Sequence, residues 1–314
     1  VIEFETFLAA GDGRSIPVRA WIPEASIRSA VQIAHGMGEH AGRYAELGRA
    51  LARAGHAVYA SDLRGHGAIA ATEGRLGDLG TPGGWTSAVG DLLAVAREAE
   101  QRHPGVPRVW LGHSMGSLLV RDCLVREPRS ASAAILSGPP AASALRAALG
   151  HAIAKAERMR LGPGAASPLL QRLLFGGFNR RFEPARTAYD WLSRDPDEID
   201  AYVADPLCGF VLLPASLAEM MAALWRLGRP SGLERVPRDL PILILGGSED
   251  PVPGGSVGLQ RLATRLVSAG FSRVELRIHP GARHETLHET HRLEVFAEIS
   301  DWIEASVPGE ASHG

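Results

Sequence analysis

The stretch Gly112-His113-Ser114-Met115-Gly116 constrains this chain more than any other. Arg108-Val109-Trp110-Leu111 before it is short, apolar and β-prone, while Ser117 to Val125 after it carries apolar residues at helical spacing. A serine on such a strand-to-helix turn is held in a strained backbone conformation, with its hydroxyl projecting from the top of a sheet. The flanking glycines are required because a Cβ at either position would crowd the neighbouring strand or helix. In a chain with 36 glycines the pentapeptide alone is weak evidence. Its flanks supply the specificity.

The rest of the chain supports a sheet of that kind. Thr6 to Ala9 and Ile16 to Trp21 flank Gly11-Asp12-Gly13 and read as an opening β-hairpin. Short apolar strands then alternate with longer helical patterns. Strands are expected at 30–34, 56–61, 108–111 and 133–136, and helices at 44–54, 85–101 and 115–126. This alternation indicates an α/β fold with a mostly parallel twisted sheet and helices on both faces. From about Pro139 to Pro237 strand signals are scarce, and helical Ala/Leu/Arg segments are broken by Gly162-Pro163-Gly164 and Gly176-Gly177. The rhythm resumes with a strand at 242–245, a helix at 258–268, a strand at 274–278 and a helix at 293–303. The expected division is a core of 1–138 and 238–307, a helical cap of 139–237, and a mobile tail of 308–314.

Composition removes several classes of function. A formal net charge of −2 gives no footprint for nucleic acid. Lys155 is the only lysine, so lysine Schiff-base or general-base chemistry has a single candidate within a helical stretch. Cys123 and Cys208 form neither a metal pattern nor a disulfide framework, and Cys123 reads as a buried free thiol. No apolar run reaches the ~18 residues of a spanning helix, and no secretory signal is visible. Because the chain begins at Val1, a removed leader stays open; the expected location is the cytoplasm, with peripheral contact to membrane.

A serine hydroxyl needs a base within hydrogen-bond reach, itself oriented by a third group. Two turns carry suitable residues. Asp250 follows the strand in Ile244 to Pro251, and His284 lies in the loop after the last strand, in the chain order Ser, Asp, His. Glu249 competes with Asp250, and His279 competes with His284 but falls within the strand. His113 is expected to shape the turn. The oxyanion donors are expected to be the backbone N–H groups of Met115 and of Met37, in the loop His35-Gly36-Met37-Gly38-Glu39-His40.

Together with Asp62-Leu63-Arg64-Gly65-His66-Gly67 and Gly281-Ala282-Arg283-His284-Glu285, these motifs resemble the α/β-hydrolase superfamily. More narrowly they resemble its monoacylglycerol lipase and lysophospholipase-like branch, grouped with the serine aminopeptidase-type hydrolases. The segments Asp190 to Asp195 and Asp205 to Phe210 are similar to the cap of bacterial members. The resemblance implies Ser114 as nucleophile, Asp250 and His284 as its partners, Met37 and Met115 as oxyanion donors, and no metal or organic cofactor. It implies a lipid monoester as substrate; a small soluble carboxylic ester is the alternative.

Three other readings compete. Gly36-Met37-Gly38-Glu39-His40-Ala41 followed by Asp62 fits a dinucleotide-binding fingerprint and an NAD-dependent oxidoreductase. The preceding hairpin and the absence of a Tyr-x-x-x-Lys pair around Lys155 speak against it. His284-Glu285-Thr286-Leu287-His288 is a zincin motif, with His291 beyond, but Pro280-Gly281 puts His284 in a loop or at a helix start. His288 and His291 are accordingly expected as exposed residues on the last helix. A non-catalytic scaffold is the third. Finally, Leu169, Leu170, Leu173, Leu174 and Phe178 recur near helical spacing, with Phe175 widening the stripe. This stripe either packs the cap or, through Leu174 and Phe178, lines an acyl tunnel and touches lipid surfaces.

Overall fold

Eight strands form one sheet in the order β1-β2-β4-β3-β5-β6-β7-β8. The computed structural model describes residues 1–80, 82–141 and 143–307, with backbone only for 230 and 231. The expected mobile tail, 308–314, lies outside the described residues. Strands β1 (Ile2–Ala9) and β2 (Ser15–Ile22) form the opening hairpin, and β2 runs antiparallel to β4 (His56–Ser61). From β4 onward every pairing is parallel, through β3 (Ser29–Ala34), β5 (Arg108–His113), β6 (Ala133–Ser137), β7 (Ile242–Gly247) and β8 (Val274–His279).

The central strands are buried on both faces, so their side chains alternate between two cores. Trp110, Leu136 and Ile244 point into the core beneath α3 (Gly84–Arg102), α4 (Met115–Arg126) and α9 (Gly255–Ser268). Their neighbours Leu111, Ile135 and Leu243 enter the opposite core, under α1 (Ala45–Arg53) and α10 (Arg292–Ser306). The short α2 (Gly67–Thr72) follows the Asp62 to Gly67 turn and was not foreseen from the sequence.

Between β6 and β7 the described residues contain helices and no strand. These are α5 (Ala144–Leu161), α6 (Pro168–Phe175), α7 (Pro196–Ala204) and α8 (Pro214–Leu227), with 3₁₀ turns at Phe178–Phe182 and Pro230–Leu233. Ser143 and Ser167 cap α5 and α6 by accepting from Arg146 N and Leu170 N. Helix α8 packs along α5 and also against α3 and α4, which ties the insertion to the layer over the sheet. No described helix is long and apolar enough to cross a membrane.

Candidate active site

Strand β5 ends at His113 and α4 starts at Met115, so Ser114 alone makes the turn between them. Its φ is 49°, and among the described residues it is the only non-glycine residue with positive φ. Such a conformation costs of order 1–3 kcal/mol and persists only where its surroundings fix it. They do so here: Ser114 N donates to Ser137 O at 2.8 Å, and Ser117 donates to Ser114 O from both its N and its Oγ. A Cβ on Gly116 would lie 2.0 Å from Ala34 O, and one on Gly112 would lie 2.5 Å from Gly116 O. The elbow glycines are therefore steric necessities.

Asp250 is fully buried just beyond β7. One carboxylate oxygen accepts from Val252 N, and both lie 2.9–3.0 Å from His284 Nδ1. Glu249, its competitor, is turned outward to Arg181 at 2.6 Å. His279 sits in β8, with its Nε2 3.2 Å from a Glu298 oxygen. His284 is itself buried, with its ring 5.2 Å from that of Trp191 and 4.8 Å from that of His113. Burial disfavours the imidazolium, but the charge and hydrogen bond of Asp250 outweigh it, with smaller help from Glu285 and Glu39. The pKa of His284 is therefore raised above the ordinary imidazole value. Its neighbour His113, near Ser137 Oγ at 3.3 Å, is pushed down to about 3 by burial and by His284.

Ser114, His284, Met37 and Met115 all line one cavity of about 600 Å³. Within the described residues no hydrogen bond joins the Ser114 hydroxyl to His284, and the two share the cavity wall. Leu174 and Phe178 line the cavity too, and Phe178 packs its ring 4.8 Å from Trp191. The leucine stripe thus divides: Leu170 is buried, Leu174, Phe175 and Phe178 face the cavity, and Leu169 and Leu173 point outward.

The loop holding Met37 is fixed from behind by a buried ionic cluster. Glu39 Oε1 accepts from Gly36 N (2.5 Å) and Tyr44 Oη (2.9 Å), and its other oxygen accepts from Arg43 (2.9 Å). Arg43 also grips both oxygens of Glu285 at 2.8 Å, so one guanidinium links the loop of Met37 to the residue after His284. Burial alone would raise both carboxyl pKa values; Arg43 reverses this and holds them below the usual range. From the other side, Tyr202 Oη and Gly209 N both donate to Gly38 O at 2.8 and 2.9 Å. Gly38 itself has φ 70° and lies against Phe210 O, leaving no room for a Cβ. Sequence reasoning missed Arg43, Tyr202 and Trp191. The Glu39 to Arg43 spacing of four was the only local signal for the first.

This cluster explains both competing motifs. Glu39 occupies the turn of the apparent dinucleotide fingerprint, Asp62 accepts from Ala41 N at 2.9 Å, and a four-residue 3₁₀ turn stands between that loop and α1. In the zincin-like motif Glu285 serves Arg43. His284 is committed through Nδ1 to Asp250, whereas His288 Nε2 donates to Arg43 O, 3.0 Å away. The rings do not converge as one metal pair. The expected exposure of His288 and His291 on the last helix is corrected: His288 is buried on the 3₁₀ turn Thr286–His288, and His291 is the half-buried residue before α10. The turn forms because Glu285, pulled down to Arg43, breaks the helical run.

Residues 25–291 match the family described as serine aminopeptidase, S33. The chain is 32% identical to a monoacylglycerol lipase of Mycolicibacterium smegmatis, over 95% of this chain and 96% of that one. It is 27% identical to the human monoglyceride lipase, over 94% and 89%. A carboxyl esterase from Bacillus coagulans, solved in complex with glycerol, superposes with a TM-score of 0.88 at 27% identity, over 98% and 99%. The chain belongs to the serine aminopeptidase S33 family of α/β-hydrolases and is a serine hydrolase of the lipase and esterase type.

Replacing Arg43 by Gln would leave two buried carboxylates unpaired, so stability at pH 7 should fall by about 3–5 kcal/mol in urea denaturation. In the wild type the depressed carboxyl pKa values stabilise the fold above the ordinary carboxylate range, and that stabilisation disappears as pH falls through the folded values. The deficit of the variant should accordingly be smaller at about pH 5 than at neutrality, as its orphaned carboxylates take up protons. An equal deficit at both would contradict this.

Proposed function

We propose that the protein hydrolyses monoacylglycerols through an acyl-enzyme formed on Ser114. The observation that carries this reading is the shared cavity: Ser114, His284 and the Met37 and Met115 backbones border a space whose walls are mainly apolar. Its volume falls within the range of ligand pockets, about 300–1,000 Å³. The named relatives at 32% and 27% identity support the monoacylglycerol assignment.

In the proposed cycle, Ser114 Oγ attacks the ester carbonyl while His284 Nε2 takes its proton. Asp250 keeps the proton on Nδ1 and stabilises the imidazolium. The Met37 and Met115 amides receive the oxyanion, and their rigid mounting means that little reorganisation accompanies the reaction. His284 returns the proton to the departing glycerol oxygen, then activates the water that releases the fatty acid. Residues 139–237 act as the cap, with Leu174 and Phe178 against the acyl chain and the outer surface touching the lipid from which substrate comes. A small-ester carboxylesterase is the second reading, favoured by the close superposition on the Bacillus coagulans enzyme.

Chain length separates the two. Each buried methylene contributes up to ~0.8 kcal/mol, so kcat/KM for detergent-dispersed monoacylglycerols should climb several-fold over a few added carbons before levelling. Leu174→Asp or Phe178→Asp should depress hydrolysis of the longer esters and spare acetate and butyrate esters. A flat profile would favour the small-ester enzyme.

Asp250→Asn should lower turnover by about 10³–10⁴, and Glu249→Gln far less. The pH profile carries a sign. Catalysis needs neutral His284, so kcat/KM on a soluble ester should fall as pH drops through a pKa above 6.5. In Asp250→Asn burial acts on the ring without the opposing carboxylate, and the acid limb should move below that value. An unmoved limb would remove His284 from the role.

A further inference from the structure

One segment of the insertion, Asp190 to Arg194, lies along the loop that carries His284. His284 N donates to Trp191 O at 3.3 Å, and Glu285 N donates to Leu192 O at 2.7 Å. Ser193 Oγ donates to His288 O at 2.8 Å, and Arg283 donates to the carbonyl oxygens of Asp190 and Ser193. These bonds fix the backbone from which the Trp191 side chain projects. The ring is then gripped by its neighbours. Trp191 N donates to Asn179 Oδ1 at 2.9 Å, and the indole stacks on Phe175 at 5.8 Å between centroids and touches Phe178 at 4.8 Å.

The indole so held lies against the imidazole of His284. The ring centroids are 5.2 Å apart and the planes 33° from parallel, so the indole presents mainly its face. Both rings are buried, at 5% and 2% exposure. In the proposed cycle the Ser114 proton moves to Nε2, and the imidazole then carries a full positive charge beside that electron-rich face. A cation within about 6 Å of a tryptophan centroid is attracted by the ring quadrupole, and more strongly where water is excluded. The other groups facing the imidazole are Asp250 beyond β7, His113 at the end of β5, Glu39 in the Met37 loop, and Glu285. Burial keeps His113 uncharged near neutrality, so it sets no positive charge against the imidazolium. Asp250 meets the ring in its plane, through Nδ1, and Trp191 meets it across the planes.

We propose that Trp191 is a positioning residue for His284, fixing the imidazole and stabilising, through its indole face, the cation that forms on proton transfer. This role rests on the acyl-enzyme reading and deepens it, because part of the support of the base then comes from the insertion. A tryptophan that only filled the space beside Phe175 and Phe178 would act on stability and leave the proton affinity of His284 untouched.

Turnover of a soluble butyrate ester by Trp191→Leu and Trp191→Phe tests this. Leucine keeps an apolar cover and removes the π face, whereas phenylalanine keeps a weaker one. The attraction expected at a desolvated site corresponds to about 5- to 30-fold in the equilibrium between the charged and neutral ring. In Trp191→Leu kcat should fall by about that factor with KM nearly unchanged, and Trp191→Phe should recover part of the loss. The sign of the pH shift follows. Without the indole the imidazolium is less stable, so the acid limb of kcat/KM should move to lower pH by about one unit, the same direction as in Asp250→Asn. Mono-, di- and trifluorinated tryptophan installed at position 191 keeps the shape of the ring and weakens its quadrupole, so kcat should fall stepwise with fluorine number. Should Trp191→Leu fail to fold, this series decides. A limb that stays in place or moves upward, or a turnover indifferent to fluorination, would overturn the proposal. Labelling of wild-type Ser114 by a fluorophosphonate reports separately on the acyl-enzyme reading, so a failure of the positioning role and a failure of that reading are distinguishable.

Discussion

One buried guanidinium holds together parts of this protein that the sheet alone does not register. Arg43 bridges Glu39, which fixes the loop of Met37, and Glu285, which follows His284. Its planar group also lies 4.8 Å from the ring of Tyr202, whose hydroxyl grips Gly38 from the insertion. The loop of Met37, the loop of His284 and the helical segment carrying Tyr202 thus meet at one cation. Two carboxylates around one guanidinium leave a negative surplus, and that surplus contributes to the raised proton affinity of His284. Position and basicity of the histidine therefore depend on the same cluster.

What the sequence revealed follows from the range of the interactions involved. The elbow was legible because its signal is local, a strand, a serine between two glycines and a helix, even though the atom that crowds Gly116 is Ala34 O on a neighbouring strand. Asp250 and His284 were legible because parallel strands deliver successive loops to one edge of the sheet. Arg43 was not, since its partner Glu285 lies 242 residues away and the pairing leaves no periodic trace. For the same reason the His284 to His288 spacing looked like a metal motif. Only the structure shows that Glu285 is pulled toward Arg43, that the helix starts at Arg292, and that His288 is buried on Arg43's carbonyl.

The leucine stripe of the insertion gives a different lesson. Periodicity identified an apolar helix but could not say how many faces were covered, because hydropathy does not distinguish a core from a lipid surface. In the fold Leu170 packs, Leu174 faces the cavity, and Leu169 and Leu173 face out. A helix of eight residues thus meets three environments.

The central claim is that Ser114 becomes covalently acylated. Intact-mass and peptide mass spectrometry after treatment with a fluorophosphonate, and after rapid acid quenching of a monoacylglycerol reaction, measures this directly. The account predicts a single adduct, located on Ser114, in both experiments, and none in a folded Ser114→Ala protein that has also lost esterase activity. An adduct on another residue, or wild-type turnover by Ser114→Ala, would contradict it.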